Sequence, residues 1–153
     1  MLGILGGTFD PIHHGHLRTA LDVTETLGLR EVRFLPLRHA VHRDQPETPA
    51  GLRLAMVRAA IAGEPRFVAD ARELRQDRPS YTLHTLESLR SEMGNEEPFC
   101  LLVGRDAFAG FLTWHRPGAI DTTRMPNLAN SRAIGSVMLA TPPLEAEYDA
   151  WPI

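Results

Sequence analysis

The sequence predicts an α/β protein with a Rossmann-like, doubly wound parallel sheet, and three observations carry that expectation. Short apolar runs alternate with stretches of helical periodicity from the first residues to residue 116. Residues 99–103, Phe-Cys-Leu-Leu-Val, form a continuous apolar run bounded by Pro98 and Gly104, as a strand buried on both faces requires. The first apolar run, residues 2–5, leads through a glycine-rich turn directly into a helical pattern, the order that opens a βαβ unit with its right-handed crossover.

The elements follow in order. Leu17, Ala20, Leu21, Thr24 and Leu27 share one face of a first helix, which Gly28 ends as a C-cap. Residues 32–35 read as a second strand stopped by Pro36, and residues 37–48 as a polar loop above the same sheet edge. Pro49 suits a first helical turn, and Leu54, Val57 and Ile61 give that helix an apolar stripe up to Gly63. Phe67-Val68-Ala69 is a short third strand, and residues 72–79 are charged and turn-like. Ser80-Tyr81-Thr82 opens a helix with Leu83, Leu86, Leu89 and Met93 on its core face, stopped by Gly94-Asn95. After the strand at 99–103, Asp106, Ala107 and Phe108 begin a short helix leading to Thr113-Trp114-His115-Arg116. From Pro117 the pattern deteriorates, and only residues 136–140 read as a last strand. At 153 residues, 43% of them hydrophobic, the chain is expected to be one domain, residues 1–153, with a regular core over 1–116 and a divergent part over 117–153.

Composition excludes several classes of function. A net charge of −3 argues against a broad nucleic-acid footprint, so small anionic ligands are the expected partners and nucleic acid is not. All 16 basic residues are arginine; without lysine there is neither Schiff-base chemistry nor a P-loop lysine. Cys100 is the single cysteine, which rules out an internal disulfide and a cysteine-built zinc site and makes a reducing cytoplasm the expected location. The first residues have no basic segment or long apolar run of the kind a signal peptide needs, and no stretch approaches membrane-spanning length, so no membrane partner is expected.

The chemistry concentrates in Gly6-Gly7-Thr8-Phe9-Asp10-Pro11-Ile12-His13-His14-Gly15-His16. A strand-to-helix turn of this kind lies where ligands bind in open parallel sheets, and the helix start offers amide hydrogens and a positive dipole end to an anion. Gly6 and Gly7 let backbone approach a phosphate. His13 and His16 are three apart, so their imidazoles can share one side of the first helical turn. The later glycines of G-x-G-x-x-G are missing. Apart from Asp10 the three histidines have no carboxylate nearby, so no metal site is expected.

This string resembles the G-G-T-F-D-P-x-H-x-G-H signature of the nucleotidyltransferases related to class I aminoacyl-tRNA synthetases. With Leu35-Pro36 and downstream His42-Arg43, Ser80-Tyr81-Thr82 with Thr85-Leu86-Glu87, and Gly104-Arg105-Asp106-Ala107-Phe108 leading to Thr113-Trp114-His115, the chain is similar to nicotinate mononucleotide adenylyltransferases. The resemblance covers residues 1–116. It implies transfer of AMP from ATP to nicotinate mononucleotide, giving nicotinate adenine dinucleotide and pyrophosphate, with Mg²⁺ accompanying ATP. It places His13 and His16 on the ATP phosphates as catalytic residues. Gly6, Gly7, Thr8, Phe9, Gly15, Gly104 and Asp106 complete the implied ATP site, with Asp10 capping or bracing the turn. Tyr81, Thr82 and Trp114, together with His42 and Arg43, are implied for the mononucleotide.

On their own, Trp114 also reads as a core residue and Asp106 as a helix N-terminal charge. The family's late I-S-x-T-x-I-R element has no match, because Thr141-Pro142-Pro143-Leu144 is followed by Glu145-Ala146-Glu147-Tyr148. A noncatalytic nucleotide-binding remnant, and an adenylyltransferase for another phosphate such as phosphopantetheine, therefore stay open. A homodimer is allowed for, since an uncovered apolar face invites self-association.

Overall fold

β1 (Leu2–Gly7) runs through the middle of a six-stranded sheet of order β3-β2-β1-β4-β6-β5, with β2 (Glu31–Pro36), β3 (Phe67–Ala69), β4 (Phe99–Val103), β5 (Thr122–Arg124) and β6 (Ser136–Ala140). The computed structural model describes residues 1–38, 46–94, 96–120, 122–124 and 136–140, with backbone only for Asp106 and the last two strands. β1 to β4 are parallel, as the alternating pattern predicts.

Strand periodicity divides the interior into two layers. Gly3 and Leu5 of β1, Val32 and Phe34 of β2, and Cys100 and Leu102 of β4 fall at alternate positions. All but Gly3 join a cluster beneath α1 (His14–Leu27) and α2 (Ala50–Ile61). Leu2, Ile4, Leu35, Phe99, Leu101 and Val103 face the other way, against Leu83, Leu86 and Leu89 of α3 (Thr82–Met93) and residues around α4 (Arg105–Ala109). Gly3 is glycine for a packing reason: a Cβ there would sit 2.8 Å from Val32 Cγ2 and 2.9 Å from Leu29 Cδ1. Gly28, at φ 61°, caps α1 in the left-handed conformation that lacks a steric penalty only for glycine.

On the α3 side an ion-pair network ties three elements together. Asp70 lies 3.3 Å from Arg33 of β2 and 2.8 Å from Arg72, while Glu92 of α3 lies 3.0 Å from Arg33 and 2.6 Å from Arg72. The residues read from sequence as turn-like contain a 3-10 turn at Arg72–Arg75, whose Glu73 is thereby held against α3.

The far edge of the sheet differs from an all-parallel reading. The sequence pattern gives no strand at Thr122–Arg124, yet β5 forms there, and β6 inserts between β4 and β5 antiparallel to both. The register sets Thr122 and Phe99 both opposite Ala140, so the segment holding α4 and the turns to residue 120 is the crossover, and β5 runs in the direction of β4.

Candidate functional site

β1 delivers the glycine-rich turn to the carboxyl edge of the parallel strands, and α1 starts immediately after it. Its first turn is built by the two histidines. His13, at the N-cap, accepts the Gly15 N–H on Nδ1 at 3.2 Å, and His16 Nδ1 accepts the His13 N–H at 3.3 Å. The rings lie 3.8 Å apart and tilted by 31°. Because each Nδ1 is an acceptor, each neutral ring carries its proton on Nε2, across the ring from the helix backbone. The two side chains thus present a pair of Nε2–H donors on one side of the turn. Gly15 makes the seat: a Cβ there would meet His13 Cε1 at 3.0 Å and Nδ1 at 3.1 Å. Burial, with His13 adding to it, pulls His16 below the usual imidazole value, so His16 is a neutral donor at neutral pH.

The turn rests on Phe9, whose ring is 2% exposed, meets His16 edge-on at 5.1 Å and lies 6.0 Å from Phe34. Its φ of 50° is a strained conformation for an aromatic residue, costing of the order of ~1–3 kcal/mol that surrounding contacts must offset. Gly7 accommodates the ring, since a Cβ there would stand 3.0 Å from Phe9 Cε1. A Cβ on Gly6 would meet nothing within 4 Å, leaving that backbone open to the outside. Asp10 braces the turn from across the chain: its carboxylate accepts the Thr48 N–H at 3.2 Å, and Thr48, chiefly through its side chain, holds it below the usual carboxylate range.

A residue the periodicity did not single out does most to hold this turn. Arg53 of α2 is 1% exposed and donates to Thr8 O at 2.5 Å, Leu37 O at 2.7 Å and Thr48 O at 3.0 Å. The signal was available, because Arg53 stands four residues before Val57 and eight before Ile61, on the stripe that both bury.

The second group of predicted residues lies where α3 begins. Tyr81 is its N-cap and makes no side-chain cap, so the first amides of α3, from Thr82 on, are left for other acceptors. The ring over Tyr81 is His115, stacked at 4.2 Å and 18°, with His84 completing the cluster 5.5 Å from each. Trp114 is half-buried against the second core cluster, 5.3 Å from Phe111. The sequence reading set Tyr81, Thr82 and Trp114 around the mononucleotide; the ring stacked directly on Tyr81 is His115, and Trp114 packs against the second core cluster. Arg38 links the two groups of residues, since its N–H donates to Ser80 Oγ at 3.2 Å while the adjacent Leu37 N–H donates to Gly7 O at 3.0 Å.

Gly104 ends β4 and begins α4, whose second residue is Asp106; the Asp106 side chain lies outside the described residues, as do His42 and Arg43. Among the described residues no group of three or more His, Cys, Asp or Glu is placed to hold a metal ion. Cys100 is no nucleophile: burial pushes its thiol up to about 12.

Comparison with known proteins agrees with this architecture. The family model described as cytidylyltransferase-like matches residues 4–139. A probable nicotinate-nucleotide adenylyltransferase of Pseudomonas putida (strain W619) is 56% identical over 115 residues, 75% of this chain and 52% of the relative. The corresponding protein of Pseudomonas aeruginosa (strain UCBPP-PA14) is 49% identical over 115 residues, covering 75% and 54%. The chain thus spans about half the length of the curated relatives it matches. Among solved structures, a putative nicotinate-nucleotide adenylyltransferase from Vibrio parahaemolyticus superposes with a TM-score of 0.65 at 18% identity, over 78% of this chain and 70% of that one. The Plasmodium falciparum nicotinic acid mononucleotide adenylyltransferase complexed with NaAD gives 0.60 at 17% identity, over 76% and 57%. These two likenesses establish the Rossmann-like α/β fold.

Proposed function

The chain belongs to the cytidylyltransferase-like family, and from that premise we propose that it transfers AMP from ATP to nicotinate mononucleotide, yielding nicotinate adenine dinucleotide and pyrophosphate. The carrying observation is the pair of Nδ1 bonds at the start of α1, His13 Nδ1 accepting the Gly15 N–H and His16 Nδ1 accepting the His13 N–H, which leaves Nε2 as the protonated nitrogen of each neutral ring in a turn whose Gly6 is exposed. That arrangement suits a polyphosphate. Relatives named nicotinate-nucleotide adenylyltransferases support the choice of acceptor.

In the reaction, an oxygen of the mononucleotide phosphate attacks the α-phosphorus of ATP. The new P–O bond forms as the α–β bridging bond breaks, and pyrophosphate leaves with that electron pair. The nucleophile is already an anion, so no side chain need act as a strong base; catalysis is positioning and stabilisation of charge. His13 and His16 donate to oxygens whose charge grows, and the backbone of Gly6, Gly7, Thr8 and Phe9 lies along the phosphates. Mg²⁺ would accompany ATP as part of the substrate and would supply charge neutralisation for the leaving pyrophosphate.

At the other end, the pyridinium ring lies against the aromatic pair of Tyr81 and His115, with the Tyr81 face as the surface for a cation and Trp114 close by in the chain. The uncapped start of α3 at Thr82 faces the nicotinate carboxylate and separates acid from amide. The setting is the cytoplasm, in keeping with a single buried cysteine. Among the described residues Leu112, Leu52 and Val68 are the large apolar side chains left exposed, and a homodimer would cover such a side chain.

The test is pyrophosphate release with ATP, Mg²⁺ and nicotinate mononucleotide, beside the amide mononucleotide and phosphopantetheine, with His16→Ala as control. Release with the acid form that falls by about 10²–10³ in the variant supports the proposal. Release with phosphopantetheine alone assigns another acceptor, and ATP binding without release assigns a noncatalytic nucleotide-binding module.

A further inference from the structure

We propose that Arg53 is a positioning residue for the ATP half of the site: its guanidinium, by holding the Thr8 carbonyl, sets the phosphate-facing backbone of the glycine-rich turn. The inference rests on the ATP-binding reading above and goes beyond it, because Arg53 lies on α2, inside the first core layer, and is not itself placed against ligand.

Three features of the structure carry it. The first is the burial of a full positive charge, with 1% of the residue exposed. A buried arginine is uncommon, and an apolar residue of similar size on this stripe, in line with Val57 and Ile61, would avoid its desolvation. Arg53 therefore does something a hydrophobe cannot.

The second is where its donors go. Nη1 bonds Thr8 O, Nη2 bonds Leu37 O and Nε bonds Thr48 O. These carbonyls come from three segments: the turn after β1, the exit of β2 and the approach to α2. A planar fork with five N–H groups can meet three carbonyls in fixed directions, whereas an ammonium on a flexible stem cannot reproduce that pattern. Asp10, whose charge favours the Arg53 cation, is engaged with the same approach to α2 through Thr48.

The third is what the Thr8 bond does to the turn. A trans peptide is planar, with its C=O and N–H pointing in opposite directions. Drawing Thr8 O toward α2 therefore directs the Phe9 N–H away from α2. The same peptide leads into Phe9 at φ 50°, a conformation that needs outside support. Arg53 supplies that support from beneath, and the ring of Phe9 beneath His16 carries it on to the histidine pair.

The experiment is equilibrium binding of Mg-ATP and, separately, of nicotinate mononucleotide to the full chain, for the wild type, Arg53→Lys and Arg53→Met, with thermal melts alongside. The expected result is an ATP dissociation constant raised about tenfold in Arg53→Met and less in Arg53→Lys, with mononucleotide binding changed less than twofold. Equal weakening of both ligands overturns the inference in favour of a purely structural role, as does unchanged ATP binding. If Arg53→Met does not fold, the same ratio read on Arg53→Lys decides. A wild type that binds mononucleotide but not ATP overturns the ATP reading itself and the inference with it, and is recognised because no variant is needed to see it.

Discussion

Thr85→Val removes one hydroxyl and leaves the volume of the side chain nearly unchanged, and the cost follows from its partner. Thr85 Oγ1 donates to Glu73 Oε1 at 2.6 Å, and the two residues are 7% and 6% exposed. The alternative acceptor, Tyr81 O at 3.5 Å, is far longer, so the single hydroxyl proton belongs to Glu73. Glu73 Oε2 is buried without a partner among the described residues; Ser80 lies close enough to lower the carboxyl but makes no hydrogen bond of ordinary geometry with it. Valine would thus strand both oxygens of a buried carboxylate. A hydrogen bond to a charged group is worth ~1.5–3 kcal/mol, and the expected loss near pH 8 is in that range. For a chain of this size each kcal/mol moves the melting temperature by roughly 2–4 °C, so the expected drop is about 3–12 °C.

The pH dependence has a definite sign. Burial, with Asp70 assisting, holds Glu73 above the usual carboxyl value of 4.5, against Thr85, Ser80 and Arg72, which lower it. Thr85→Val raises it further. A carboxyl raised by folding has its stabilising contribution intact below 4.5 and loses it as pH rises through the folded value. The deficit of the variant is therefore greatest when Glu73 is ionised and shrinks on acidification. Thermal and urea melts of both proteins at pH 8, 7, 6 and 5 measure it. A deficit under ~0.5 kcal/mol at pH 8, or one that grows toward pH 5, would refute the reasoning.

Two further outcomes follow from the histidine turn. Gly15→Ala places a Cβ 3.0 Å from His13 Cε1 and 3.1 Å from its Nδ1, so the ring must shift on its seat and its bond to the Gly15 amide weakens. The weakened cap costs at most about 1 kcal/mol, which the better helix propensity of alanine offsets in a urea melt, while pyrophosphate release falls about tenfold; a variant with unchanged turnover would show that the seated ring is not the active one. His16 titrates below 6.5 when followed by NMR, because burial and then His13 disfavour its cation. The stability owed to the neutral ring is intact above 6.5 and is lost as pH falls through the folded value, so a midpoint at or above 6.5 contradicts the described packing.

Much of the architecture was legible because its causes are local. Phe67–Ala69 and Phe99–Val103 are strands at the residues their apolar runs mark, and Gly28 caps α1 because only glycine takes φ 61° without penalty. Gly6 to His16 announced its turn through residue types that backbone conformation demands. Legibility failed where one residue's state depends on groups distant in the chain. Arg53 belongs to an apolar stripe by spacing, and its burial is tolerable only because the carbonyls of Thr8, Leu37 and Thr48 converge on it. Which ring covers Tyr81 was decided by the path of the chain after α4, which turns Trp114 into the core and His115 outward over Tyr81.

The sequence by itself determined the parallel core, the glycine-rich strand-to-helix turn and the functional groups it carries, since periodicity, glycine positions and side-chain functional groups are properties of short stretches. Only the tertiary structure decided the antiparallel insertion of β6, the guanidinium beneath the turn and the pairing of His115 with Tyr81. Each of these depends on hydrogen bonds or ring contacts between segments far apart in sequence, whose directions are set only when the layers pack.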